Sequence, residues 1–292
     1  MELFDELKAQ IDGKNIRIVL PEGTESRVLG AAARLQKEGI LVPVLLGQPE
    51  AIKSVALENN FDIDGIEIID MDNYPEFDDM VAAFVERRKG KVNDEEARKI
   101  LKDANFFGTM LTYMDKVDGM VSGAVHSTAD TVRPALQIVK TRPGVPRTSG
   151  SFLMLRGETR YLFADCAINI ELDAEGLAGV AVESARMAKM FGIDPKVAML
   201  SLSTKGSAKH DLITKVQDAT RMAKELAPDL PIDGELQFDA AVSETVAKQK
   251  APGSEVAGFA NVFIFPSVDA GNIGYKIAQR LGGFEALGPI IQ

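Results

Sequence analysis

Residues 16–39, IRIVLPEGTESRVLGAAARLQKEG, decide the fold. IRIVL is an apolar run that stops at Pro21. ESRVLGAAARLQKEG then spaces Val28, Leu29, Ala32 and Leu35 along one helical face and ends at Gly39. A strand followed at once by an amphipathic helix is a βα unit, and the pattern repeats outward from it. LVPVLL (Leu41–Leu46) leads through Gly47 into a helix from Pro49, and IEII (Ile66–Ile69) reads as another short strand buried on both faces. The fold class is therefore α/β. Helices are expected over 75–88 and 94–113, a strand at DGMVSG (118–123), and a helix around Thr131–Lys140.

KTRPGVPR (140–147) interrupts every periodicity with Pro143, Gly144 and Pro146, so a domain boundary belongs there. Beyond it, SFLML and RYLFAD, separated by Gly157, Glu158 and Thr159, read as an antiparallel hairpin at an edge or a dimer interface. Asp173 caps a helix whose small face runs from Leu177 to Phe191. KVAMLSLS is a strand, SAKHDLITKVQDATRMAKELAPD a helix, NVFIFPS a strand and GNIGYKIAQRL a helix. The hairpin and the small-residue helix are the expected dimer surface.

Composition narrows the function. With 46% hydrophobic and 26% charged residues in 292, the chain is an ordinary globular protein of two-domain size. A net charge of −10 argues against a nucleic-acid or anionic-membrane surface, so any phosphate site must be local. One cysteine, Cys166, cannot form an internal disulfide. With only two histidines, and no aspartates at metal-ligand spacing, no metal is expected, and a reducing cytoplasm fits. The opening MELFDELKAQIDG carries acids where a signal peptide needs bases, and its Leu3, Phe4, Leu7 and Ile11 suit a docking helix. The apolar run Val262–Phe265 is far shorter than the ~20 residues of a membrane span.

Two strand-to-helix turns could hold an anion. In VSGAVHSTADTVRP (121–134), small residues precede a helix start where Ser127 and Thr128 offer hydroxyls and Arg133 a guanidinium fork. The plainer reading is an N-cap with Arg133 in a surface ion pair. In LSLSTKGSAKHD (200–211), Ser203, Thr204, Lys205, Ser207 and Lys209 surround Gly206, although the GxxxxGK[ST] pattern is missing and such lysines are commonly solvated. ERRKGK (86–91) is a basic run that also suits a helix C-terminus. In PSVDAGNIGYK (266–276), Gly271 and Gly274 permit close packing and Asn272 could cap the helix carrying Lys276. GxGxxG and GxSxG are both absent, which disfavours a dinucleotide dehydrogenase and a serine hydrolase. Cys166 reads as an inert buried thiol beside Asp165, which could hold a polar network.

VDGMVSGAVHSTADTVRPALQIVKT, AMLSLSTKGSAK, IDGELQFDAAV, KAPGSEVAG and FANVFIFPSVDAGNIGYKIAQRL, in this order, closely resemble the phosphate acetyltransferase family over nearly the whole chain. The resemblance implies a two-domain fold of the isocitrate and isopropylmalate dehydrogenase type, with domains at 1–145 and 146–285 and an interdomain active-site cleft. It also implies a homodimer, and reversible transfer of acetyl between CoA and phosphate without a metal or a permanently bound cofactor. Acetyl-CoA, acetyl phosphate and phosphate are then the ligands. By motif, Arg133 and Arg87 (with Arg88 as the alternative) are implied as catalytic arginines, and Ser127, Thr128, Ser203, Thr204, Lys205, Asn272 and Lys276 as substrate-binding residues. Family chains continue past GPI with a segment like LxxPxxDLSRGCSxxD that supplies a catalytic serine, arginine and aspartate. Residues 286–292 are thus expected to begin a truncated return segment to the first domain, with activity reduced. The alternatives are phosphate butyryltransferase and a non-catalytic acetyl-CoA-sensing module.

Overall fold

The computed structural model describes residues 3–143, 145 and 147–292, and they form two compact units, Leu3–Lys140 and Thr141–Gln292. The expected boundary lay five residues later. Arg142 explains the difference, because its guanidinium donates to Glu183, a buried acid of the second unit, and carries the connector with it. Gly144 and Pro146, on which that boundary was read, lie outside the described residues.

The first unit runs α1 (Leu3–Ile11), β1 (Arg17–Leu20), α2 (Ser26–Glu38), β2 (Val42–Leu46), α3 (Pro49–Glu58), β3 (Glu67–Ile69), α4 (Phe77–Arg88), α5 (Asp94–Ile100), α6 (Ala104–Tyr113), β4 (Gly119–Met120) and α7 (Thr128–Ile138). Its sheet is parallel in the order β3-β2-β1-β4. Val19, Val44 and Leu46 meet Phe84, Phe107 and Met110 on one face, and Leu20 and Leu45 meet Leu29 and Ile52 on the other. This two-sided burial is why the strands read as continuous apolar runs. The single helix expected over 94–113 is two, since Asp103 accepts from the amides of Asn105 and Phe106 and so starts a new helix. The strand expected at DGMVSG pairs with β1 only over Gly119–Met120. From Gly123 onward the backbone amides bond to Glu22 instead.

The second unit runs β5 (Gly150–Arg156), β6 (Thr159–Ala164), α8 (Ala174–Met190), β7 (Val197–Leu200), α9 (Asp211–Leu226), β8 (Ile232–Leu236), α10 (Phe238–Val242), α11 (Glu244–Lys250), β9 (Val262–Ile264), α12 (Val268–Arg280) and β10 (Glu285–Ile291). The sheet order is β10-β5-β6-β9-β7-β8. β5 and β6 form the antiparallel hairpin, turning tightly at Gly157, whose φ of 57° favours glycine. The hairpin is not an edge, because β10 pairs antiparallel with β5 and covers it. Residues 286–292 therefore complete the second unit's own sheet, where the family pattern implied a return segment. Gln292 exchanges backbone bonds with Ser149 and accepts from the hydroxyls of Ser149 and Ser184. The small face of α8 is likewise consumed, with Leu177, Val180, Ala181, Ser184 and Ala188 buried inside the unit.

Candidate active site

Glu22 sits just beyond β1 with its side chain 2% exposed, and the turn between β4 and α7 is wrapped around it. One carboxylate oxygen accepts from the amides of Gly123 (3.1 Å) and Ala124 (2.8 Å). The other accepts from the amides of Val125 (2.9 Å) and His126 (3.1 Å) and faces His126 Nδ1 at 2.7 Å. Burial alone would raise this carboxyl's pKa, but the donors outweigh it and pull it down to about 2. The amides of residues 123–126, just before the helix start, are thus occupied by an anion of the chain itself. Ser122 Oγ also donates to Asn105 Oδ1 at 2.5 Å, and Arg27 to the Ala124 carbonyl at 2.9 Å.

Ser127 is the N-cap of α7: its hydroxyl accepts from the Asp130 amide and donates to the Asp130 carboxylate. That hydrogen bond is the first cause of a lowered Asp130 pKa. Thr128 is exposed, and the amides of Thr128 and Ala129, at the positive end of the helix dipole, have no partner among the described residues. Arg133, one turn along, approaches Asp130 at 3.9 Å, and more than half of its side chain faces solvent. Free amides, an exposed hydroxyl and an open guanidinium on one helical turn can bind a phosphate or steady charge on its oxygens.

Arg87 lies at the far end of α7, about 16 Å from the N-cap by helix rise. It donates to the carbonyls of Ile138 and Val139 and stacks on Tyr113 at 5.0 Å, so it closes the helix C-terminus. Arg88 beside it has a buried Nε without a hydrogen-bond partner.

The second turn, between β7 and α9, is closed in on itself. Ser203 and Thr204 are buried. Ser203 donates to Glu235 Oε1 at 2.9 Å, the Gly206 amide donates to the same oxygen at 2.8 Å, and Thr204 Oγ1 accepts from the Gln237 amide. For Glu235, burial again raises the pKa and the donors, Gly206 first, lower it on balance. Lys205 is drawn to Asp233 at 2.5 Å and to the Gly234 carbonyl. These three side chains serve the unit's own loop.

Asn272 is inside α12, whose N-cap is Ser267, contrary to the capping role read from the sequence. It donates to the Cys166 carbonyl at 3.0 Å and accepts from Lys276 at 2.8 Å. Gly271 is obligatory beside it, since a Cβ there would stand 2.3 Å from the Asp165 carbonyl oxygen. Asp165 holds the network foreseen for it, accepting from the amides of Ala167, Ile168 and Asn169. Burial pushes the Cys166 thiol upward, which keeps it unreactive. The sequence reading missed Glu22 and Glu235. Their signal was an acid directly after one apolar run and another inside a second, at Pro21-Glu22 and at IDGEL.

The second unit also has a cavity of about 1050 Å³ ringed by Ile170, Leu202, Leu212, Phe238 and Ile277, all substantially exposed. Among the described residues no cluster of histidine, cysteine and carboxylates could hold a metal, and no helix is long and apolar enough to cross a membrane.

Residues 2–292 match the family model described as phosphate acetyl/butaryl transferase. The phosphate acetyltransferase of Bacillus subtilis is 57% identical over 291 residues, all of this chain and 90% of that protein. A crystal structure of a phosphotransacetylase from Streptococcus pyogenes superposes with a TM-score of 0.95 at 57% identity, covering 99% of this chain and 89% of the other. A putative 4-hydroxythreonine-4-phosphate dehydrogenase from Salmonella typhimurium shares the fold alone, with a TM-score of 0.53 at 13% identity over 95% and 89% of the two chains.

Proposed function

The chain belongs to the phosphate acetyl/butaryl transferase family, and from that premise we propose how its residues carry the reaction. It is an acyltransferase that moves acetyl between CoA and phosphate. In the direction of acetyl-CoA synthesis, the CoA thiolate attacks the acetyl carbonyl of acetyl phosphate, the carbon–oxygen bond to phosphate breaks, and phosphate leaves with the electron pair. Arg133, the Thr128 hydroxyl and the open amides of Thr128 and Ala129 neutralise the charge gathering on the phosphate oxygens, with Ser127 ordering that turn. The observation that supports this is the exposure of those donors at the end of a parallel strand while neighbouring amides are committed to Glu22.

The fold in this reading is of the isocitrate and isopropylmalate dehydrogenase type. Arg88 replaces Arg87 as the second substrate-facing arginine, because Arg87 is committed to the end of α7. Ser203, Thr204, Lys205, Asn272 and Lys276 support the second unit's loops from within. The deciding experiment is Arg133→Ala, assayed as phosphate-dependent turnover of acetyl-CoA. Loss of turnover with an unchanged melting temperature supports the assignment, and a large fall in stability overturns it.

The chain acts as a homodimer and in the cytoplasm, the second inference resting on its single buried cysteine. With α8 buried, the dimer face falls instead on α12 and the cavity rim, where Ile170, Leu202, Leu212, Phe238, Ile273, Ile277 and Leu281 are exposed. Sedimentation of Ile277→Glu as a monomer, beside a dimeric parent, is the expected result.

A further inference from the structure

A run of four consecutive backbone amides converging on one point is a concave anion-binding arrangement, normally filled by a ligand. Here, the point of convergence is the Glu22 carboxylate, contributed from 101–104 residues away in the chain. With His126 Nδ1 it faces five nitrogens, at least as many as the four lone-pair sites of an ionised carboxylate can accept from. The acid is buried while the loop above it is half-exposed, so the hydrogen bonds hold the loop's conformation more than they fill a core. Directly after the last clamped amide come Ser127, Thr128 and Ala129, so the direction in which α7 leaves the loop, and hence where its open amides and Arg133 stand, is set at Glu22.

We propose that Glu22 is a positioning residue for acyl transfer: its carboxylate fixes the 123–126 backbone so that the phosphate-facing donors of α7 are preformed before substrate arrives. This rests on the reading of that turn as the phosphate site. The physical consequence is specific to one substrate. A loop that must be ordered at every encounter weakens the interactions with acetyl phosphate and with its departing phosphate, whereas contacts with CoA made elsewhere are unaffected.

The test compares Glu22→Gln, Glu22→Asp and Gly123→Ala with the parent in the full chain, measuring kcat and KM for acetyl phosphate and CoA separately, with melting temperatures alongside. Glu22→Gln keeps the shape but loses the charge that four amides require. Its kcat/KM for acetyl phosphate should fall roughly 10–100-fold, the scale of a 1 Å misplacement, with KM for CoA within about twofold. Glu22→Asp, which keeps the charge on a shorter arm, should recover part of the loss. Gly123 has φ of 110°, and an added Cβ meets only Thr131 Oγ1 at 3.6 Å. Gly123→Ala therefore strains the loop without disturbing any core, and should lower the same parameter by about threefold to tenfold.

An unchanged kcat/KM for acetyl phosphate in a folded Glu22→Gln overturns the proposal, as does a loss that falls equally on both substrates. If Glu22→Gln does not fold, Gly123→Ala decides alone, and an unchanged parameter there overturns it. Arg133→Ala separates the two levels. Full activity in that variant sinks the phosphate-site reading itself, whereas its inactivity beside fully active Glu22 and Gly123 variants sinks only the role of Glu22.

Discussion

The β4–α7 and β7–α9 turns are built alike and finished differently. Each follows a parallel strand, and each is organised by a buried glutamate, Glu22 just beyond β1 or Glu235 in β8. In the first, the acid takes backbone amides and leaves the side chains of Thr128 and Arg133 outside. In the second, it takes a hydroxyl as well as an amide, Ser203 and Thr204 are buried, and the exposed Lys205 is tied to Asp233. Similar loop composition thus yields one turn with open donors and one that is self-satisfied. What separates them is that the side chains of the second turn have partners of their own, Ser203 at Glu235, Thr204 at Gln237 and Lys205 at Asp233, whereas the first acid is met mainly by main-chain amides.

The largest effect that would break this contrast is on turnover. Arg133→Ala should lower kcat by roughly 10²–10³-fold, the usual loss on removing one charge-stabilising donor, with the melting temperature unmoved. Glu235→Ala is the mirror experiment. It removes the acceptor shared by the buried Ser203 hydroxyl and the Gly206 amide and should cost about 1–3 kcal/mol in urea unfolding, with kcat per folded molecule kept within threefold. A kcat loss as large as that of Arg133→Ala would mean that the second turn also meets substrate.

Acid sharpens the comparison further. The Glu22 pKa is lower in the folded chain, about 2, than the ordinary 4.5, so its stabilisation is complete above pH 4.5 and is lost as pH falls toward 2. Melting curves of the parent should therefore decline across that window more steeply than those of Glu22→Gln. Equal slopes would show that the loop does not depend on the charge. The smallest change is Asn272→Ala, which removes the tether to the Cys166 carbonyl and the partner of Lys276. It should cost about 1 kcal/mol without altering KM for either substrate.

How much of this was legible follows from the range of each interaction. The Asp165 network was foreseen because its acceptor and donors lie within four residues, at Ala167, Ile168 and Asn169. Ser127 as an N-cap was equally visible, its partner being Asp130. Asn272 was misplaced as a cap because α12 begins earlier, with Ser267 capping it, and Asn272 turns instead to the Cys166 carbonyl, a partner about 100 residues away. Glu22 and Glu235 were missed since their partners lie about 100 and about 30 residues away.

The sequence by itself determined the α/β class, most of the strands and helices, and the family. All of these rest on hydrophobic periodicity, capping residues and the order of motifs, which are properties of neighbours along the chain. Only the tertiary structure decided which donors stay open. A hydroxyl or lysine beside a glycine is the same string whether it faces solvent or a buried carboxylate, and the choice belongs to an acid delivered by another strand. The cost of leaving a buried carboxylate without donors fixes that choice, and it is settled only when the sheet has assembled.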